Sequence, residues 1–482
     1  MNAGFLRDLD VDALVLTGVA AQEAIGGHRR IRVFQSDPPG PALVMTRDGS
    51  VHVCTPDPDG ALHLPADHVH PIAFDPTAFA RALPRWIGSV PKRIAMDRAA
   101  PSAFAALAAA FPSATIVDAE PALGPLPPAA TGGVVDDDEL VAPRRARALA
   151  TADAQGIAGW WLRTPEAIRL LTGRAGAALV GDTLLDEADV EAALTALPRH
   201  GRIAVDRLTP TEHMRLTQRF DVVDAGGMVL AGSIPRAPTE VATLREGYLR
   251  TERAVVRARH TWAVGMTERE CSDVLAREAA LLGLQPHIDH VVTVIPRDRA
   301  AVPWLRGEWA GRAPWRQLTS ERVIERGDLV GLDAGCFHNG YVTDFGATYI
   351  AGRDPTAAEA KLARRWTELA DRVTDAIRPG ATAADLRAAA LDGWSAGEPP
   401  WPCGLYVAHG VGFGGVVPPF AGTDLGVDVE RTMVLTPGDV LMIEPYVHED
   451  GGGGFRAERC VAVTADGHDV WTTLPIEQLR AL

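Results

Sequence analysis

Four acids and one histidine in the second half of the chain have the residue types of a metal site: Asp333, Asp344, His409, Glu444 and Glu458. The densest stretch is GDLVGLDAGCFHNGYVTDFGATYI, Gly327 to Ile350. It reads as two short β-strands joined by a tight turn. Asp333 ends the apolar run Leu329, Val330, Leu332, and Asp344 lies inside the next, Tyr341, Val342, Phe345. Asn339-Gly340 between them tolerates the positive φ of a hairpin turn. Two acids on adjacent antiparallel strands can aim their carboxylates at one point, where they repel until one holds a proton. A cation between them removes the conflict. For this stretch alone, two solvated turn acids remain the alternative.

The other three residues sit in strand-like or glycine-rich settings. His409 lies in YVAHGVGFGG, whose glycines allow close approach of backbone and ligand. Glu444 ends the run GDVLMIEPY, with Pro445 stopping further pairing. Glu458 opens another strand in FRAERCVAV. Each is a weak signal in a chain with 62 acids. Together, four carboxylates balance two divalent cations, which is a physical reason to expect a metal pair. Oxygen-rich ligation favours manganese, iron or cobalt over a closed structural zinc.

The elements that position these residues follow from the rest of the chain. At 482 residues it calls for two or three domains. A hydrophobic fraction of 47% with 23% charged residues is that of a soluble globular protein. The net charge of −15 argues against nucleic acid or an anionic membrane as partner. The five cysteines are scattered without a CxxC pair, which suits a reducing, cytoplasmic setting. Acids interrupt the N-terminal apolar residues, and no run approaches membrane-spanning length.

The first half is a repeat. DVDALVL, GPALV, RIAMDR and TIVDA are followed in the same order by QGIAGWWL, GAALV, RIAVDR and DVVDA. Each unit alternates β-branched runs with Ala- and Leu-rich helical stretches, an α/β layer. The expected divisions are 1–125 and 140–235 for the two copies and 238–482 for the domain that carries the candidate site. The linker's acid run, Asp136-Asp137-Asp138-Glu139, reads as a solvated loop, and the patch His63, His68, His70 as scattered surface histidines. In the second half, Glu240 to Arg259 reads as a long helix, and Thr267-x-x-Glu270 as a capping box opening the next. A similar turn and helix at Arg378 to Leu391 suggests two related α/β halves.

DAG, GYVTDFGATY, HGVG, IEP and RAE, with the eleven-residue step from Asp333 to Asp344, resemble the pita-bread metallopeptidases. These include methionine aminopeptidase, prolidase, aminopeptidase P and creatinase, and the resemblance covers roughly residues 238 to 475. The layout is similar to that of aminopeptidase P with a doubled creatinase-type N-terminal domain. The resemblance implies an α+β pita-bread fold preceded by two creatinase-N-like α/β domains. It also implies two divalent ions, manganese ahead of iron, cobalt or zinc. By the same resemblance Asp333 would hold one ion, His409 and Glu444 the other, and Asp344 and Glu458 both. A hydroxide between the metals would be the nucleophile, and Glu444 would move its proton. Arg456 would bind a substrate carboxylate, or pair with a ligand acid. A homodimer is expected, acting on a small peptide or small molecule.

The departures are specific. The family's histidine before the first acid aligns with Pro314-Trp315, and the histidine after HGxG is replaced near Val416. His287 and His290 lie upstream, and Arg459 stands where the family commonly has an acid. Trp304, Trp309 and Trp315, interleaved with arginines, and Trp401 could form an aromatic substrate wall or pack between domains. Three readings follow: an Xaa-Pro-type amide hydrolase, a small-molecule C–N hydrolase or lyase, and an inactive ligand-binding relative.

Overall fold

The computed structural model describes residues 6, 9–17, 42–55, 68–71, 76–123, 136–174, 176, 178–185, 190–286, 291–302, 319–394, 401, 406–423, 425–476 and 480–481. The chain divides into two compact units, Met1–Gly232 and Ser233–Leu482.

In the first unit the sequence repeat becomes a repeat of topology. One sheet runs in the order His68–Pro71, Val51–Thr55, Ala42–Thr46, Ala13–Leu16, Arg93–Met96, Thr115–Asp118. The other runs Asp221–Asp224, Arg202–Val205, Ile157–Leu162, Ala178–Val180, Thr183–Leu185. In both, the first strand of the repeat pairs antiparallel with the GPALV or GAALV strand and parallel with the RIA strand. The halves meet at equivalent positions, where Ala99 and Leu208 exchange two backbone hydrogen bonds of 2.9 Å. One apolar core runs through both, including Val15, Ile94 and Phe104 of the first copy and Trp161, Ile203 and Phe220 of the second.

The acids of RIAMDR and RIAVDR are structural. Asp97 accepts from the Thr17 N–H and hydroxyl at 2.8 and 3.1 Å. Asp206 accepts from the N–H groups of Arg163 and Thr164 at 2.9 and 2.7 Å. Each pins the end of its copy's first strand, a buried carboxylate satisfied by backbone N–H groups and a threonine hydroxyl.

Two sequence expectations need correction here. The acid run 136–139 opens a helix and is not a loop: Asp137, Asp138 and Glu139 are exposed, with Asp137 capping the helix Asp138–Ala154, while Asp136 is buried between Arg144 and Arg169 at 2.7 and 2.5 Å. A carboxylate at a helix start satisfies orphan N–H groups, which is what draws the run into the fold. Nor are the histidines scattered. His52 and His68 are register partners on parallel strands, and their rings stack at 4.7 Å, while His70 stacks on Trp86 at 4.6 Å. His63 lies outside the described residues.

The second unit is built twice. The helices Pro238–Arg259 and Glu268–Leu281 accompany the sheet Val291–Val294, Leu329–Asp333, Gly346–Ile350, Arg480–Ala481. The helices Ala357–Ala376 and Ala383–Leu391 accompany the sheet Val416–Ala421, Ala408–Val411, Val440–Ile443, Arg459–Val463, His468–Val470. The capping box Thr267/Glu270 has its counterpart in Thr382/Asp385. Each cap threonine pairs with a residue before the acid strand, Thr267 with Val323 and Thr382 with Val434. The strands that follow lie in GDLVGLD and GDVLMIE, the first ending on Asp333 and the second just before Glu444. Among the described residues no helix is long and apolar enough to cross a membrane.

Candidate metal centre

The Gly327–Ile350 stretch folds as one long hairpin that changes sheets in the middle. Leu329–Asp333 pairs with Gly346–Ile350, bringing Asp333 opposite Gly346. Cys336–His338 pairs with Tyr341–Thr343 in a separate sheet around the turn at Asn339 and Gly340, with φ 50° and 82°. Thus Asp344 lies between strands, not inside one as the apolar run suggested. The ladder bends where Ala334 N–H still reaches the Phe345 carbonyl at 2.9 Å, so both acids flank a single kink. The neighbouring Thr343 is tied to a helix: its hydroxyl lies 2.7 Å from that of Thr251 on Pro238–Arg259. Neither threonine was singled out by the sequence: Thr343 adjoins Asp344, and nothing local marks Thr251, 92 residues away.

The remaining acids arrive from the second half of the unit. His409 is on the strand Ala408–Val411, which Gly410 allows to pass the backbone, since a Cβ there would lie 2.6 Å from the Val417 carbonyl oxygen. Glu444 follows the strand Val440–Ile443, and Glu458 precedes Arg459–Val463. Gly346 makes room for Glu458, because a Cβ on it would lie 2.7 Å from the Glu458 Cγ and Cδ.

These residues converge. Donor oxygens of Asp333, Asp344 and Glu458 all lie within 4.8 Å of one another, the single such group of metal-ligand type among the described residues. His409 Nε2 is 3.4 Å from Asp344 Oδ2 and 3.3 Å from Glu444 Oε1. Asp344 therefore belongs to both sets. Arg456 faces the same cluster, with Nη1 3.1 Å from Asp333 Oδ2, Nη2 2.7 Å from Glu458 Oε1, and a hydrogen bond to Glu444. Arg456, Glu444 and Glu458 are 5%, 5% and 0% exposed, so water contributes little screening.

Burial, and then the neighbouring carboxylates Asp333 and Glu444, push the Asp344 carboxyl well above the ordinary range. Burial and then Asp344 do the same to Glu458. Burial works against the Arg456 charge, but Glu444, Glu458, Asp333 and Asp344 outweigh it and raise its pKa. One guanidinium against four carboxylates leaves the cluster short of positive charge. Asp344 Oδ1 and Glu458 Oε2 are buried and accept no hydrogen bond, and Glu458 Oε1 faces the Arg456 guanidinium. Buried carboxylate oxygens without donors, beside an imidazole nitrogen and in an oxygen-rich set, fit hard divalent cations. A cavity of about 420 Å³ in the first unit, lined by Asp118, Glu120, Thr209, Glu212 and Arg215 among others, contains none of these residues.

Residues 242–465 match metallopeptidase family M24. They form an M24 domain. Over 171 residues, 33% of this chain, it is 29% identical to the uncharacterized peptidase YqhT of Bacillus subtilis, spanning 43% of that protein. Over 158 residues, 31% of this chain, it is 28% identical to the Xaa-Pro dipeptidase of Pyrococcus furiosus, spanning 41%. The chain thus matches less than half the length of each of these relatives. Among solved structures, dipeptidase PepE from Mycobacterium ulcerans aligns with TM-score 0.56 and 23% identity over 72% of this chain and 99% of that one. That likeness shows a shared fold, and the M24 domain has the pita-bread architecture.

The other residues named from the sequence divide. Trp304, Trp309, Trp315, His287 and His290 lie outside the described residues. Trp401 is buried, and its indole packs against Gly422, where a Cβ would be 3.0 Å from Nε1. Val416 is half-buried at the start of the strand Val416–Ala421. Arg459 turns away from the acids: Nη1 donates to Asp371 at 2.8 Å and to Thr374 at 3.1 Å.

Proposed function

We propose that this protein is a dinuclear metal-dependent hydrolase that cleaves an Xaa-Pro-type amide bond in small peptides, with 238–482 as the catalytic domain. The observation that carries the reading is the convergence of Asp333, Asp344 and Glu458 on one point, joined through Asp344 to His409 and Glu444. Asp333 would hold one divalent ion, His409 and Glu444 the second, with Asp344 and Glu458 shared. Manganese is the expected metal. When bound, such ions supply Lewis acidity and lower the pKa of water toward neutrality.

The chain's own groups would do the rest. Glu444 Oε1, 3.3 Å from His409 Nε2, is placed to take a proton from water and return it to the leaving amine. Arg456, whose terminal nitrogens meet Asp333, Glu444 and Glu458, would hold these acids in place in preference to binding a substrate carboxylate. Trp309 and Trp315 would form the aromatic wall. The setting this implies is a cytoplasmic homodimer, consistent with five cysteines lacking any CxxC pair.

Hydrolysis of a panel of Xaa-Pro dipeptides by manganese-loaded protein tests the proposal. Release of free proline, abolished by Glu444→Gln, is the expected result. Two bound ions per chain with no Xaa-Pro cleavage would overturn the peptidase specification and turn the search to small-molecule C–N bonds.

A further inference from the structure

The segment Arg456-Ala457-Glu458 delivers two side chains to the acid cluster, and two contacts tie it to the strand Gly346–Ile350. At one end the Glu458 N–H donates to the Gly346 carbonyl at 2.9 Å. At the other, a single side chain does what a strand peptide ordinarily does. The Thr348 hydroxyl donates to the Arg456 carbonyl at 2.7 Å and accepts from the Arg456 N–H at 3.1 Å. Thr348 is 1% exposed, so no water competes for this exchange. Its strand begins opposite Asp333, at the Gly346 register partner. One strand thus sets Asp333 by ladder pairing, clears space for Glu458 at Gly346, and fixes the tripeptide at Thr348.

The geometry points to Thr348 as a positioning residue for the metal centre, holding Glu458 and Arg456 at the cluster through the Arg456 backbone. The inference rests on the metal reading above. Without the Thr348 hydroxyl, the Arg456 N–H and carbonyl each lose the hydrogen bond it makes to them. The segment then rotates to recover hydrogen bonds, and Glu458 loses its aim. Partners of this indirect kind typically cost about 10–100-fold in metal affinity when removed.

The test is cobalt(II) titration of the full chain, followed by visible absorption, for wild type, Thr348→Val, Thr348→Ser and Asp333→Ala. Thr348→Val should bind cobalt about 10–100-fold more weakly with unchanged far-UV circular dichroism. Thr348→Ser, which keeps the hydroxyl, should restore the wild-type affinity and spectrum. Thr348→Val binding as tightly as wild type, or Thr348→Ser falling as far as Thr348→Val, overturns the inference. Should Thr348→Val fail to fold, Thr348→Ala is read the same way, and failure of both marks the hydroxyl as structural and overturns the positioning role. Wild-type protein that binds no more cobalt than Asp333→Ala removes the metal reading itself, which is distinct from wild-type binding left intact in the Thr348 variants.

Discussion

His409 Nε2 stands 3.3 Å from Glu444 Oε1, while Nδ1 of the same ring lies 3.1 Å from the Gly410 carbonyl oxygen. A carbonyl accepts only, so Nδ1 carries a proton and Nε2 faces two carboxylates, Glu444 and Asp344. In the neutral ring that nitrogen is a lone pair aimed at negative oxygens, an arrangement that a cation between them stabilises. His409→Ala is therefore expected to lower bound divalent metal by about one ion per chain, as loss of a ligand to one of two cations implies. Elemental analysis after dialysis checks this, and an unchanged stoichiometry would contradict it.

Gly346 is predicted to be intolerant of any side chain. A Cβ would sit 2.7 Å from three Glu458 atoms, Cγ, Cδ and Oε1. Gly346→Ala should destabilise by about 1–3 kcal/mol, the usual cost of overpacking. Thermal unfolding measures it, and a melting temperature equal to wild type would show that Glu458 can yield.

A pH effect should come from Glu359, which is 1% exposed. It accepts from Arg353 Nη2 at 2.7 Å, Arg297 Nη2 at 2.5 Å and the Thr356 N–H at 2.7 Å. Burial alone would raise its carboxyl, but Arg353, the Thr356 backbone and Arg297 outweigh that and lower it to about 2. The folded value lies below the ordinary one of about 4.3. The stabilisation is thus present above that pH and disappears as pH falls through about 2. Glu359→Gln should flatten the loss of melting temperature across this window, and parallel curves for the two proteins would refute the assignment.

Arg459 offers a contrast beside the site. It follows Glu458 in sequence, yet its guanidinium lies 5.8 Å from the Trp366 ring and bonds to Asp371 and Thr374. Arg459→Met should lower stability by about 1–3 kcal/mol, because the Thr374 partner is buried. Metal stoichiometry should not change. A metal-binding defect in a folded Arg459→Met protein would place this residue in the site after all.

What the sequence made legible is local or periodic. The Asn339-Gly340 turn, the capping boxes at Thr267 and Thr382, and the doubled first half each rest on residues within a few positions or on a pattern that recurs. The five ligand-type residues were readable because four lie in or beside apolar runs and His409 lies among glycines. The sheet change around Ala334 and Phe345 was not, since both flanks have the same β-rich composition and only pairing partners distinguish them. The Thr348–Arg456 clamp spans 108 positions, and nothing local to Thr348 marks it. The burial of Asp136 was hidden for the same reason: Arg169, which holds it, lies 33 residues away.

If Asp344 serves two cations at once, metal content depends on it twice over. Equilibrium dialysis against manganese, with wild type beside Asp344→Asn, should give about two ions per wild-type chain, the number four carboxylates balance. The variant should lose both. Wild-type protein without bound manganese, or Asp344→Asn retaining the full wild-type content, would contradict the account.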